Sequence, residues 1–392
     1  MSKGIPDYPV DLFCRESVRN ARAVDDAVRE FAPVVRLQDG TVLITRHADV
    51  LAGLQDWQTY SSRSRPWHDP KSLRPEILLT DDPPRHTHVR QAIGQALSTQ
   101  LLGNLRPAFE RDAAVLIKNL MLRQGDVIDV VADITQAFVY KVLPDAIGIP
   151  LEGREHMNAF GHMVWATMGP PNELFHEAML GIEPVVAWLD HCCDREHLSD
   201  GGIGMTLYRI ADQGAITQAE AKLLLQIVLS AGADTTIVTM ANAIHAFALF
   251  PQQYQRLRAD PNLARTAFDE SLRWNSPSRM AGRITTREVA IDGITVPAGQ
   301  RVGLMFAAAN RDPRAWTEPE VYDLSRELRK QVGWGYGVHA CVGRVLAQLE
   351  AHALLAELAR HVARIEIAGA REPWMTTIGQ GPARLPVRLY GD

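Results

Sequence analysis

From Thr217 to Phe250 the chain is almost uninterruptedly apolar, and the run is bounded by a start signal and a stop signal. Thr217-x-x-Glu220 has the form of a capping box, in which hydroxyl and carboxylate each satisfy a backbone N–H of the other. Pro251 cannot continue a helix. At about 1.5 Å per residue the helix would span roughly 50 Å. That exceeds the width of a small domain, so it is expected to cross the middle of a large one. Gln226, Asp234, Asn242 and His245 interrupt its apolar surface, which makes it a poor membrane span. Most of the remaining sequence is rich in Ala, Leu, Arg and Glu and reads as helix. Two short hairpins stand out: 34–37 with 41–45 around Asp39-Gly40, and 289–291 with 294–296 around Asp292-Gly293. No Pro/Gly/Ser-rich linker divides the chain. The expectation is a mainly α fold, one large helical domain over 1–392 with small β-sheets.

Composition narrows the function. With 46% hydrophobic and 22% charged residues in 392, the disordered, collagen-like and disulfide-scaffold classes are set aside. Lys+Arg number 41 against Asp+Glu 46, a formal charge of -5. That lacks the basic excess of a protein living on phosphate neutralisation, so no nucleic-acid partner is expected. Cys14, Cys192, Cys193 and Cys341 form neither a disulfide framework nor a zinc spacing. The N-terminal segment lacks the apolar core of a signal peptide. A soluble, cytoplasmic protein without a membrane partner is expected. His68, His162, His191 and His245 have no ligand spacing with one another and read as packing or surface residues.

Two segments carry the chemistry. Inside the long helix, Ser230-Ala231-Gly232-Ala233-Asp234-Thr235-Thr236 places an acid beside two hydroxyls. A buried polar group without a partner costs about 1–3 kcal/mol, and a charge more. Either the threonines bond back to the carbonyl one turn earlier while Asp234 reaches a surface edge, or the helix breaks there and polar groups and water relay protons. Farther on, Gly333-Trp334-Gly335-Tyr336-Gly337-Val338-His339-Ala340-Cys341-Val342-Gly343 leads glycines up to one cysteine where a helical pattern begins. A helix N-terminus stabilises a thiolate. Glycines let backbone N–H groups approach the sulfur, and such hydrogen bonds tune a metal–thiolate bond. Gly335-x-Gly337-x-x-Ala340 also matches part of a dinucleotide fingerprint, but no strand–turn–helix unit surrounds it. A plain buried cysteine is a further reading. Glu270-Ser271-Leu272-Arg273 puts acid and base on one helix face, and Asp82-Pro83-Pro84-Arg85-His86 to Arg90 reads as a proline-started helix with basic residues.

Together, in this order and at these separations, the four segments resemble the cytochrome P450 family over nearly the whole chain. The resemblance implies the P450 fold, with the long central helix over heme b (iron protoporphyrin IX), and Cys341 as the thiolate ligand and sole metal contact. It gives the heme propionates to His86, Arg90, Arg283 and His339, residue types that form strong charge-assisted bonds with carboxylates. It joins Glu270 and Arg273 to Arg311 as a fold-locking triad, and makes Asp234 and Thr235 the catalytic proton relay. One departure is Trp334, where the family usually has phenylalanine; its indole either donates towards the sulfur or packs.

A closer likeness, carried by 168–174 (MGPPNEL) and 230–236, is to soluble bacterial enzymes that demethylate para-methoxybenzoates. It implies a pocket lined by Leu79, Trp165, Met168, Ala231, Thr235, Ser278 and Ala281. Those relatives hold the benzoate carboxylate with Arg-Ser pairs on two segments. Here Leu73 and Glu76, then Gln226 and Ile227, stand at the matching places, with Arg74 one position off. A carboxylate buried without partners is costly, so a neutral or phenolic aromatic substrate is expected, with Arg74 or Arg279 the anchor otherwise. The implied activity is a monooxygenase acting on O2 and a small aromatic substrate, with O-demethylation foremost. Demethylation of an aromatic carboxylate, or hydroxylation or epoxidation of a terpene-like or alkyl substrate, are the alternatives. A heme-binding sensor or carrier is the rival of another class, and the Asp234-Thr235 pair speaks against it. Electrons are expected from an iron–sulfur ferredoxin with an NAD(P)H-dependent reductase, docking near Arg344.

Overall fold

The computed structural model describes residues 3–63 and 76–392. The helices that frame the site are α1 (Ala21–Phe31), α2 (Arg85–Ala96), α3 (Thr99–Met121), α4 (Ala137–Ile147), α5 (Met157–Ala166), α6 (Gln218–Leu249), α7 (Ala264–Trp274) and α8 (Arg344–His361). The long apolar run is α6. Its capping box is formed: Thr217 Oγ1 accepts from Glu220 N at 3.1 Å, and the Glu220 carboxylate accepts from Thr217 N at 2.9 Å. α6 is apolar around its whole circumference and is buried accordingly. It packs against α4, α7, the helix Ile203–Asp212 and a π-helical turn, Val130–Gln136. By length and composition it would cross a membrane, but 78% of its most apolar stretch lies inside the protein. α8 runs along α3 and α7, and the three close the main core beneath α6.

The β structure is small. β1 (Val34–Arg36), β2 (Val42–Ile44), β3 (Tyr60–Ser61), β4 (Ala281–Thr285) and β7 (Arg301–Leu304) make one sheet in the order β1-β2-β7-β4-β3. β2 and β7 are parallel, and the other pairings are antiparallel. Ser61 pairs with Ile284, which brings the 61–62 segment beside Arg283. β5 (Val289–Ile291) and β6 (Ile294–Val296) form the second expected hairpin. Its turn residues Asp292 and Gly293 both have positive φ, 49° and 77°, as a two-residue hairpin turn requires.

Candidate heme and proton-delivery site

α6 stays α-helical through 230–236, so the expected break is not there. Thr235 takes the other course, its Oγ1 donating to Ala231 O at 2.7 Å, as Thr239 Oγ1 does to Thr235 O at 2.6 Å, whereas buried Thr236 Oγ1 has no partner among the described residues. The Thr235 proton is thus committed to a carbonyl, leaving the oxygen's lone pairs free to accept. In mid-helix, where neighbours on both sides are buried, Ala231 is exposed and Thr235 partly so. These two residues mark an interior surface. Asp234 points elsewhere. It is buried, Oδ1 accepts from the Tyr140 hydroxyl at 3.4 Å, and Oδ2 has no partner among the described residues. Burial pushes its carboxyl up to about 7, and the Tyr140 hydrogen bond works against that rise.

The Cys341 loop is built by its glycines. Gly335 and Gly337 sit at φ 67° and 65°. A Cβ on Gly337 would come within 2.7 Å of Leu54 O, so only glycine suits that approach. Cys341 N donates to Trp334 O at 2.8 Å, closing the loop. α8 begins at Arg344, three residues beyond the cysteine rather than at it. Cys341 is ringed by protein, yet its side chain is solvent-accessible, which describes a group on an interior wall. Burial raises its thiol, while the Gly343 and Arg344 N–H groups and the Arg90 and Arg344 charges favour the thiolate. No strand precedes the loop in the manner of a dinucleotide site, so that reading falls.

Four basic side chains converge beside it. His86 and Arg90 lie one turn apart on α2, Arg283 is on β4, and His339 is in the cysteine loop. The His86 and His339 rings are 4.4 Å apart. Burial first, then Arg283, His86 and Arg90, push His339 down to about 3. Burial holds Arg283 down to about 10 against the opposing pull of Asp82. The nearby acids are already engaged: Asp82 accepts from Ser61 Oγ and Ser62 N, and Asp81 accepts from Leu78 N and faces Arg85. Both ring nitrogens of buried His86 lack a partner among the described residues. So dense a set of donors, mutually repelling and short of acceptors, is complementary to a dianion. It lies within electrostatic reach of a sulfur supplied with backbone N–H groups. Heme, with two carboxylates and an iron that takes a thiolate, fits this donor set.

The comparisons agree. The cytochrome P450 family model matches residues 203–380. The chain is 38% identical to cytochrome P450 CYP199A2 of Rhodopseudomonas palustris, across 98% of this chain and 95% of that protein. The chain belongs to the cytochrome P450 family. It is also 28% identical to the vitamin D(3) 25-hydroxylase of Pseudonocardia autotrophica, across 97% of this chain and 96% of that one. Among solved structures, CYP109E1 from Bacillus megaterium shares the fold with a TM-score of 0.84 at 23% identity, covering 96% of this chain and 99% of that one. The protein is therefore a P450 monooxygenase, a heme-thiolate enzyme that uses O2, an organic substrate and redox partners.

Within this P450 frame the structure corrects several expectations. Glu270 and Arg273 form a fully buried pair, with Nη2–Oε1 and Nε–Oε2 both 2.7 Å. Their third partner is Arg326, whose Nε reaches Glu270 Oε1 at 3.2 Å, and not Arg311. Arg311 turns to α1, where it bonds Asp26 at 2.9 Å and Arg22 O. It follows a short helix, Phe306–Ala309, that packs on α1. Arg279 is likewise spoken for: fully buried, it bonds Asp25 at 2.7 Å and Leu12 O at 2.9 Å, so it is no substrate anchor. The Trp334 indole donates to Asp269 Oδ1 at 2.9 Å, not to the sulfur. Arg344 lies 5.5 Å from that ring and also meets Asp269.

Of the pocket residues, Ala231, Ser278 and Ala281 are partly or fully accessible, and Leu79 is 47% exposed beside the undescribed stretch. Gln226 and Ile227 are buried on α6. Trp165 is core: it packs with Met280 and Ile378 and meets Trp374 edge-to-face at 5.4 Å, with Met168 against the same cluster. Leu73, Arg74 and His68 lie outside the described residues. His162, His191 and His245 join no metal-ligand cluster among the described residues. Tyr140 and Arg326 were not anticipated. Tyr140 is 94 residues from Asp234 and Arg326 is 56 from Glu270, and no local pattern announces either.

Proposed function

We propose that Cys341 is the axial thiolate, that His86, Arg90, Arg283 and His339 hold the propionates, and that the substrate is a small, neutral, para-substituted methoxy-aromatic that undergoes O-demethylation. Heme bound to Cys341 supplies O2 reduction and oxidation of the substrate C–H bond. This chain's residues do the rest. Gly343 and Arg344 N–H groups stabilise the sulfur anion. Asp234 can take up and release a proton around physiological pH, because burial raises its carboxyl to about 7. Thr235 Oγ1, its own proton given to Ala231 O, accepts a hydrogen bond on the interior surface. The reaction balances as ArOCH3 + O2 + 2e⁻ + 2H⁺ giving ArOH + CH2O + H2O. The ether carbon is oxidised, its hemiacetal loses formaldehyde, and the second oxygen atom leaves as water. The electrons come from an iron–sulfur ferredoxin and its NAD(P)H-dependent reductase. Arg344, half-exposed behind the cysteine, stands where an acidic partner would dock, with Asp269 offsetting part of its charge.

The observation that carries the neutral-substrate reading is that, among the described residues, neither α6 over 226–235 nor Arg279 offers a free cation. From Gln226 to Thr235 α6 carries none, and Arg279 is tied to Asp25. The test is a spin-state titration of the heme-loaded enzyme with para-methoxy-aromatics, with and without a carboxylate, followed by formaldehyde assay. Neutral compounds are expected to give the high-spin shift and stoichiometric formaldehyde. A shift by benzoates alone would overturn the reading and direct attention to Arg74.

A further inference from the structure

Asp234 is enclosed by two elements besides its own helix. From α4, Tyr140 donates its hydroxyl to Oδ1. From α5, Gly161 leaves room for Oδ2: a Cβ there would stand 1.8 Å from that oxygen. No charged group acts on Asp234; burial and Tyr140 are the influences upon it. The nearest ionisable neighbour in sequence to Gly161, His162, has Glu177 as its electrostatic partner instead. The acid therefore has no salt-bridge route outward among the described residues. Its one polar contact is the phenol.

That phenol leads to the surface. Gln136, at the end of the π-helical turn one turn before Tyr140, lies close enough to the Tyr140 hydroxyl to lower its pKa against the rise that burial causes. The Gln136 amide in turn donates to Asn158 Oδ1 at 3.0 Å, and Asn158 is exposed at the start of α5. π-Helical turns often mark functional positions, and this one ends at Gln136, between the Tyr140 hydroxyl and exposed Asn158.

We propose that Tyr140 is the proton conduit to Asp234, with Gln136 beside it at a surface inlet between α4 and α5 and Gly161 leaving the room that the acid's buried second oxygen occupies. The Tyr140 O–H bond breaks as its proton passes to Asp234 Oδ1, and a solvent proton at the Gln136–Asn158 edge re-forms it. No charge remains on the phenol. The hydroxyl also stabilises the Asp234 carboxylate, so it both delivers the proton and sets how readily it is passed on. This rests on the assignment of Asp234 as the acid of the relay.

The experiment uses the heme-loaded full chain and Tyr140→Phe, with Asp234→Asn as reference and Gln136→Leu as a milder second variant. Infrared difference spectroscopy follows the protonated carboxyl band that Asp234→Asn removes, without turnover. In Tyr140→Phe this band is expected to persist to higher pH than in the wild type, because a hydrogen bond favouring the carboxylate is lost. Product per NADH is expected to fall several-fold with peroxide rising, and less so in Gln136→Leu, while substrate-induced spin shifts stay unchanged. An unchanged band and unchanged coupling in Tyr140→Phe, with Asp234→Asn impaired, overturns the conduit alone. Full coupling in Asp234→Asn overturns the conduit and the relay assignment together.

Discussion

Two buried cation clusters in this molecule are built on opposite terms. Arg273 is fully enclosed, and each of its donors has an acceptor: Glu270, and the Asn310, Pro319 and Val321 carbonyls. Around Cys341, burial lowers the basicity of His86, Arg90, Arg283 and His339, neighbouring cations lower the two histidines further, and the His86 ring has no hydrogen-bond partner among the described residues. The first cluster is satisfied by the chain and holds the fold. The second is satisfied by the chain only in part, through Ser62 Oγ 3.1 Å from His339 Nε2 and Gly282 O accepting from Arg283 Nη1 at 2.7 Å, while both ring nitrogens of His86 lack a partner among the described residues. A protein tolerates such local dissatisfaction where function requires it, and the contrast supports the proposal that the second cluster receives the cofactor's carboxylates.

The contrast breaks or sharpens under substitution. The largest effect is expected from Glu270→Ala, which leaves Arg273 and Arg326 buried without their anion. Removing one partner of such a pair costs about 3–5 kcal/mol, readable as a lower urea midpoint for the protein with and without heme. Arg283→Leu should behave oppositely. The apoprotein should melt no lower than wild type, because a repelling charge is gone. Heme transfer to an acceptor apoprotein should quicken roughly tenfold or more, since a charge-assisted bond is worth about 1.5–3 kcal/mol. An Arg283→Leu apoprotein as weakened as Glu270→Ala would erase the distinction. The change that is smallest at any one pH concerns Glu350 on α8, a buried acid with an unpartnered oxygen, which burial pushes up to about 8. From the ordinary value of 4.5 up to about 8 the folded chain keeps a proton that the unfolded chain releases. Stability therefore falls as pH rises through that window. Glu350→Gln should flatten this slope by about 1 kcal/mol per pH unit, measured as urea midpoints from pH 5 to pH 8.

What was legible in the sequence follows from range. The capping box at Thr217 and the Asp292-Gly293 turn are local devices and formed as read, whereas the glycines before Cys341 shape the loop while the sulfur's N–H groups come from Gly343 and Arg344 after it. The cationic residues around Cys341 were readable through the family resemblance, not from their own spacing. Arg311 was paired with the wrong partner because an arginine's reach depends on which helix passes it, and α1 passes nearer than α7. For Trp334 the sequence leaves open donation to the sulfur or packing, and the acceptor it finds, Asp269, lies 65 residues away. Tyr140 lay beyond reach altogether: its contact with Asp234 depends on how α4 packs across α6, and that packing is set by cores far apart in sequence.

The central claim is that Cys341 sulfur, as thiolate, holds the heme iron. Absorption of the reduced, carbon monoxide-treated protein tests it most directly. The account predicts the red-shifted Soret band of thiolate ligation, abolished by Cys341→His without loss of heme. A band of imidazole type in the wild-type protein, or a thiolate band that survives Cys341→His, would contradict it.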